Sequence, residues 1–530
     1  MRLTTQSLKK QLQFQQVNPN KSGAINQFAL LPRLAVAWLA GAVFLFALAP
    51  YYIWGIALIS PAILYALLIA PMSHARAFWI GEIYGMGLWC VGAFWLYTSI
   101  HTYGNTPMPI AIGMIAIMGL IMGLFHGLLA VGFNHFFAKQ PFSFTALWVV
   151  QEWLKTWLFT GFPWLFVGYA FTEQVWLNSL APLFGVLAMS FVAVFLSSSV
   201  VEIAKKQYHF SVLASVMLVA SSVLWLLNPA WTTPKNTPNL SVSLIQGNIP
   251  QDLKWLLEFQ EKTLEIYAEL SQSEWGQDIV VWPESSIPML QTEAWPFISQ
   301  VAEVAKRHNT TWITGIPYAD IAEYDPKVDD YEPFYNSVMA LGAEAKGLYK
   351  KQNLVPVGEY TPFEGLLNWA LPELMSGSVS FRSGKPYQDP LLVKNNQVGV
   401  AICYEVAYPD TTRRNARNTD FLLTVSNDAW FGTSAGPLQH LQMVQMRSLE
   451  TGRWFVRATN TGVTAIINHK GEIVRQAPQF ERTVLRGEVQ VRQGTTPFMQ
   501  WGSYPILMLS GVLLLISWLS NLAKRSKNQR

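Results

Sequence analysis

The chain has 530 residues, of which 51% are hydrophobic and only 13% charged, whereas an average soluble domain carries about 25% charged residues. With 22 Trp, 30 Phe and a mean hydropathy of +0.22, such a composition belongs to a membrane protein or to one with a large membrane part. The formal net charge is only +4, and the two cysteines, Cys90 and Cys403, lie far apart, so a disulfide framework and a cysteine zinc module are excluded; there is no phosphate-binding glycine loop and no nucleic-acid motif.

Residues 1–32 are polar, with Lys9, Lys10 and Lys21, and read as a cytoplasmic tail. Apolar runs then follow in series, at about 33–50, 52–71, 78–98, 109–136, 143–160, 180–201 and 210–228. Most approach the ~20 residues that a helix needs to cross a bilayer. The first run, ending in F-A-L-A-P, could pass for a signal peptide. Six more spans follow it without a soluble break, so it reads as an uncleaved helix that turns back at Ala49-Pro50-Tyr51-Tyr52. A seven-span membrane domain over 33–230 is the result.

Charge placement sets the orientation. Arg76, Lys139, Lys205 and Lys206 follow the second, fourth and sixth spans, while the alternate loops H-T-Y-G-N-T-P and N-S-L-A-P carry no Lys or Arg. The positive-inside rule puts the charged side in the cytoplasm and the loop after span seven outside. Within the spans, Glu82, Gln151, Glu152 and Lys155 are polar. Intramembrane charges are functional candidates, but Glu152 and Lys155 at i and i+3 could equally pair with each other and hold the bundle. T-G-F-P-W-L-F-V-G-Y, residues 160–169, has the Pro, Gly and aromatic content of an interfacial or re-entrant loop.

Composition changes at about Asn228, where N-P-A-W-T-T-P-K-N-T-P-N reads as a linker. Residues 238–493 then alternate short apolar strands with helical stretches, the signature of an α/β domain. A last apolar run at 503–523 predicts an eighth span, closed by a cytoplasmic tail at 524–530 with Lys524, Arg525, Lys527 and Arg530.

Three polar sites punctuate the strands of the outer domain. V-V-W-P-E-S-S-I-P puts Glu284 just past one strand end. L-Y-K-K-Q-N-L-V-P-V-G-E-Y carries Lys350, Lys351 and Glu359, and G-V-A-I-C-Y-E-V-A-Y-P puts Cys403 where an apolar run breaks into polar residues. A free cysteine is usually a small buried hydrophobe, but a thiol, a carboxylate and a lysine, each at a strand margin, fit nucleophilic chemistry. The thiol needs a base or a positive neighbour to ionise, a partly desolvated Glu can take its proton, and a Lys with a backbone N–H can hold an oxyanion.

W-P-E, Y-K-K-x-x-L-V-P-x-G-E and C-Y-E resemble the Glu-Lys-Cys signature of the nitrilase superfamily. The eight spans, together with S-N-D-A-W-F-G, G-P-L-Q-H-L-Q-M, M-R-S-L-E-T-G-R and R-A-T-N-T-G, resemble its membrane branch, the apolipoprotein N-acyltransferases of bacterial inner membranes. That resemblance implies a four-layer αββα catalytic domain facing the periplasm, and transfer of an acyl chain from a phospholipid to the α-amino group of a diacylglyceryl-cysteine on an apolipoprotein, with no cofactor. It makes Glu284 the general base, Cys403 the nucleophile and Lys351 the oxyanion-side cation, with Lys350 as rival, and it matches Glu359, Tyr404 and Glu405 to supporting positions. Val357 departs from it, standing where Phe is common. The apolar stretch Thr361–Leu374, with Leu366 and Leu367, and the pair Trp430 and Phe431 are candidate lids that would keep water from a thioester. The alternative is a membrane-anchored nitrilase-type amidase acting on a small C–N substrate. A non-catalytic scaffold or transporter is a third reading, against which the Glu-Lys-Cys set argues.

Overall fold

The computed structural model describes residues 30–324, 332–361 and 380–528. Most of the polar N-terminal segment, and Leu366 and Leu367 of the expected lid, lie outside the described residues.

Among the described residues, seven helices of 13 residues or more build the N-terminal part: α1 (Leu30–Ala42, continued by a 3-10 turn to Ala47), α2 (Ile56–Leu68), α3 (His74–Gly92), α4 (Met108–Val131), α5 (Pro141–Leu154), α6 (Val186–Ile203) and α7 (Tyr208–Leu227). Of the eight expected spans, five among the described residues are long and apolar enough to cross a bilayer: Leu30–Ala47, Met108–Phe136, Val186–Ile203, Tyr208–Leu227 and Tyr504–Lys527. The other three fall short in length or apolarity. The hairpin at Ala49–Trp54 leaves α2 only 13 residues, and α5 stops after 14 residues at Lys155; α3 has 19 residues but carries Arg76 and Glu82. The bundle closes through small residues, as helix pairs do in lipid. A Cβ on Gly81 of α3 would lie 2.2 Å from the His126 carbonyl oxygen of α4, so only glycine permits that approach.

Of the two readings of Glu152 and Lys155, the direct ion pair does not form. Glu152 Oε1 instead accepts from Trp148 Nε1, one turn back, and from the Val167 N–H, both at 2.9 Å. Lys155 is the C-cap of α5, and its ammonium lies over the Trp89 and Phe166 rings at 5.4 and 5.5 Å. The loop expected at 160–169 folds inward, and Trp164, Leu165, Phe166, Val167 and Tyr169 are all buried.

The outer domain is a sandwich of two sheets. Its strands are β1 (Leu240–Gln246), β2 (Ile279–Val281), β3 (Thr311–Ala319), β4 (Phe334–Gly342), β5 (Ala345–Lys346), β6 (Leu348–Lys350), β7 (Leu391–Val393), β8 (Asn396–Ile402), β9 (Phe421–Ser426), β10 (Phe455–Thr459), β11 (Ala465–Ile467), β12 (Ile473–Gln476) and β13 (Thr483–Val489). One sheet runs β13-β1-β2-β3-β4-β6 and the other β12-β11-β10-β9-β8-β7-β5. Their facing sides interdigitate Val242, Leu244, Val281 and Ile313 with Val400, Ile402, Leu423 and Val456. Helices α8 (Leu257–Ser271) and α9 (Gln291–Arg307) cover the first sheet. On the second sheet lie α10 (Pro409–Asn415) and α11 (Gly436–Thr451), giving the αββα layering that the resemblance implied. Strands buried on both faces are what the continuous Val/Ile runs require.

A final helix, α12 (Tyr504–Asn528), returns to the bundle, where Ser517 Oγ accepts from the Ala138 N–H at 2.8 Å. The two parts dock through α11, which is buried at every residue except Leu438 although it is rich in polar side chains. Those side chains satisfy backbone and indole groups of the bundle. Gln439 Oε1 accepts from Trp164 Nε1 (2.7 Å), Gln442 Oε1 from the Ala49 N–H (3.1 Å) and Glu450 Oε1 from the Val186 N–H (2.8 Å). This interface carries the sheet ends down onto the membrane part.

Candidate active site

Strands β1, β2 and β3 run parallel, as do β8, β9 and β10. Chemistry in such sheets collects where parallel strands end, because the chain must turn there and side chains converge. Glu284 follows β2, Lys351 follows β6, Cys403 follows β8, and Ser426 closes β9. Glu284 can sit close against β3 because its neighbour there is Gly315, on which a Cβ would lie 2.7 Å from Glu284 Cα.

Glu284, Lys351 and Glu359 form one cluster. Lys351 Nζ lies 2.9 Å from Glu359 Oε1 and 3.3 Å from Glu284 Oε1. Asn336 Nδ2 donates to both carboxylates at 2.7 Å, and the Asn427 N–H donates to Glu284 Oε2 at 2.7 Å. Burial would raise the Glu284 carboxyl, but Lys351, the Asn336 hydrogen bond and Lys254 outweigh it and hold it below the usual carboxylate range. Burial would likewise lower Lys351, yet Glu359 and Glu284 keep it firmly cationic. Lys350, one residue earlier, points elsewhere. It pairs with Asp320 at 2.5 Å and lies 4.1 Å from the Tyr335 ring centre.

Cys403 sits at a strand-to-3-10 turn, Cys403–Ala407, with φ = +51°. A non-glycine residue in the left-handed region is strained, and such strain collects at functional positions. Cys403 is 8% exposed, and its thiol lies within electrostatic reach of the Glu284 carboxylate and the Lys351 ammonium. Burial pushes it well up, and Glu284 and Asp428 add to that, against the pull of Lys351. Ser426 Oγ stands 3.2 Å from Cys403 Sγ and 2.6 Å from Asp428 Oδ1. A hydroxyl has a single proton, and the shorter contact to a carboxylate takes it.

Glu405 is a latch between two of these loops. Its carboxylate accepts from the N–H groups of Gln352 (2.6 Å), Asn353 (3.1 Å) and Ile402 (2.7 Å), so it ties the exit of β6 to the end of β8. Burial lifts its carboxyl to about 7 against those backbone donors. The Tyr404 ring faces the membrane part, with its hydroxyl 3.3 Å from the Gly161 carbonyl oxygen and its ring stacked 6.4 Å from Trp164. Its N–H lies at the start of the 3-10 turn, where helical N–H groups lack an intrahelical partner. Phe431 packs edge-on to Trp95 at 4.7 Å and Trp430 to Tyr103 at 5.9 Å, so both meet the connection between α3 and α4. Val357 is 78% exposed.

Sequence reasoning missed a second set of residues. Asp428 pairs with Arg457 at 2.5 Å and with His440 Nδ1 at 3.1 Å, and His440 Nε2 reaches the Cys403 carbonyl oxygen at 2.9 Å. This group supports the strained turn from behind. Lys254 was missed as well. It is fully buried, and its Nζ donates to the Glu284 carbonyl oxygen at 3.0 Å. The one available signal was its place after a strand end, in Q-G-N-I-P-Q-D-L-K-W. Among the described residues no group of three or more His, Cys, Asp or Glu could hold a metal ion.

Residues 241–496 match the carbon-nitrogen hydrolase family, and residues 40–199 match the apolipoprotein N-acyltransferase N-terminal domain. The chain is 36% identical over 506 residues to an apolipoprotein N-acyltransferase of Vibrio parahaemolyticus, covering 93% of this chain and 98% of that protein. It is 39% identical over 493 residues to the same-named protein of Pseudomonas putida, covering 91% and 96%. Among solved structures, Saccharomyces cerevisiae Nit3, a member of the nitrilase superfamily, aligns at 16% identity and a TM-score of 0.36 over 49% of this chain and 93% of that chain.

Proposed function

The chain belongs to the apolipoprotein N-acyltransferase family, and from that premise we propose that Cys403 carries the acyl group as a thioester, with Glu284 as its base and Lys351 as its oxyanion cation. The protein is a multi-pass membrane acyltransferase that N-acylates lipoproteins, and the amidase alternative is not favoured by relatives that span over 90% of its length. The supporting observation for the residue roles is the meeting of Glu284, Lys351 and the Cys403 thiol in one buried cluster.

In the proposed cycle Glu284 takes the thiol proton as Cys403 Sγ attacks the ester carbonyl of a phospholipid. The negative oxygen that forms is held by Lys351 and the Tyr404 N–H. Collapse expels an alkoxide, which regains the proton from Glu284 and leaves as lysophospholipid. The α-amino group of the diacylated apolipoprotein, with a free pKa near 7.7–8.0, then attacks the thioester and passes its proton to Glu284. The thiolate departs and is reprotonated, and an amide remains. Water is the competitor at the thioester stage. The low exposure of Cys403 (8%), Glu284 (6%) and Lys351 (1%) supports its exclusion. Leu366, Leu367, Trp430 and Phe431 remain the proposed lid.

Mass spectrometry of the purified protein incubated with phospholipid alone tests this. The expected result is an acyl adduct on Cys403 and release of lysophospholipid before any acceptor is added. If lysophospholipid forms only with acceptor present and no adduct is found, transfer is direct and the covalent cycle is wrong.

We further propose that the protein lies in the bacterial inner membrane, as the family resemblance implies, with the sandwich on the periplasmic side and the end of α12, bearing Lys524 and Arg525, inside; the one-sided placement of Lys and Arg supports this orientation. Single cysteines introduced at exposed positions such as Tyr387 (82% exposed) should react with a membrane-impermeant maleimide in intact spheroplasts. Labelling only after lysis would put the sandwich in the cytoplasm and overturn the orientation.

A further inference from the structure

The Cys403 cluster holds more charge than the proposed cycle uses. Close to the thiol stand the Glu284 carboxylate and the Lys351 ammonium, and Glu359 is paired to the same ammonium. Those three alone leave the site formally at −1, and ionising Cys403 by transfer to Glu284 would have to proceed in that field. Lys254 restores balance. It reaches the cluster from a different element, the turn after β1. Asn460 pins that turn by accepting from the Ile249 N–H (2.9 Å) and donating to the Ile249 carbonyl oxygen (2.8 Å). Gln251 Oε1 accepts from Asn427 Nδ2 at 2.7 Å, and the Asn427 N–H is itself a donor to Glu284. The turn is thus fastened to the same strand ends that hold Glu284 and Cys403.

We propose that Lys254 is a positioning residue that acts through Glu284 and Cys403: its ammonium fixes the Glu284 turn and neutralises the site, so that the Cys403 thiolate can form. With Lys254 present, two carboxylates face two ammonium groups. Moving the thiol proton to Glu284 leaves one thiolate and one carboxylate facing the same two cations, so the net charge stays at zero throughout. Its hydrogen bond to the Glu284 carbonyl uses one N–H, and among the described residues no acceptor takes the other two. Lys254 also feels the groups it serves. Burial draws it down to about 8, against the restoring pull of Glu284 and Cys403. The remaining charged groups are accounted for in their own places. Asp428 is neutralised by Arg457, with His440 beside it, and Glu405 is held by three backbone N–H groups.

The inference rests on Cys403 as nucleophile, and the test separates the two. The full chain carrying Cys90→Ala has Cys403 as its only thiol, and the pH dependence of its alkylation by iodoacetamide reports the thiolate whether or not an acyl enzyme forms. Lys254→Met should move that profile up by about one pH unit or more, the size expected for losing an opposite charge close by. At pH 8 this is about a tenfold slower reaction. Lys254→Arg, which keeps the charge, should stay within about threefold of the parent. Lys254→Gln keeps a donor for the Glu284 carbonyl without charge, and serves if the Met variant does not fold; the same upward shift is expected. A profile superposing on the parent in the uncharged variants, with only the melting temperature lowered, makes Lys254 a structural residue and overturns the proposal. Absence of an acyl adduct in the parent would instead overturn the role of Cys403.

Discussion

Cys403→Ala is expected to abolish adduct formation and product together, lowering turnover by on the order of 10⁴-fold or more, the scale seen when a covalent nucleophile is deleted. The loss is total for both half-reactions because they share one sulfur: without it the phospholipid has nothing to acylate and the amine has no thioester to attack. The fold should survive. Alanine removes a single buried atom and accepts the left-handed backbone at φ = +51° no worse than cysteine does. The turn is in any case held from outside by Glu405, through the Ile402 N–H, and by His440 at the Cys403 carbonyl. Cys403→Ser separates the steps differently. A hydroxyl is much harder to deprotonate than a thiol, so Glu284 should drive acylation slowly, and the ester formed should be a poorer acyl donor to an amine than a thioester. An acyl-serine should therefore build up. Lysophospholipid release at the parental rate from Cys403→Ala would sink the covalent cycle outright.

How much of this was legible in the sequence differs from element to element. Glu284, Lys351, Glu359 and Cys403 could be picked out because each interrupts or follows an apolar strand, and strand ends are local features. The preference for Lys351 over Lys350 rested on the resemblance to the family motif, and the geometry gives it a physical reason, since neighbouring residues at a strand end face opposite ways and Lys350 is taken up by Asp320. Lys254 was invisible because its meaning lies in a contact 30 residues away, with the Glu284 carbonyl. The Asp428–Arg457–His440 group was hidden for the same reason, since only the packing of α11 behind Cys403 brings His440 to Asp428 and to the Cys403 carbonyl. In the membrane part, apolar runs were easy to count, but helix lengths were set by turns that hydropathy does not report. The i, i+3 spacing of Glu152 and Lys155 allowed a pair as readily as a functional role, and tertiary contacts decide against the pair, because the Trp148 indole and the Val167 N–H take up the carboxylate.

Lys351→Met should slow both half-reactions by roughly 10²–10³-fold, the usual cost of losing one oxyanion donor, and it should do something further that a pure oxyanion role would not. In the parent, Lys351 lies between Glu284 and Glu359 and is the chief reason that Glu284 stays ionised despite its burial. Glu284 works as a base only when deprotonated, so with its pKa held down the acid limb of the rate profile lies below the ordinary carboxylate range. Removing the ammonium reverses the balance. Burial then dominates, Glu359 adds like-charge repulsion across the shared Asn336 amide, and both raise Glu284. The acid limb should move toward neutrality, so part of the loss at pH 6 returns on going to pH 8. The oxyanion part does not return, because no pH restores the missing donor. Lys350→Met, which breaks the Asp320, Glu323 and Tyr335 contacts away from the cluster, should leave both the rate and the acid limb close to the parent. If Lys351→Met stays within about threefold of the parent at pH 7 with an unmoved acid limb, then Lys351 neither stabilises the oxyanion nor holds Glu284 ionised, and the charge would have to be supplied by Lys254 alone.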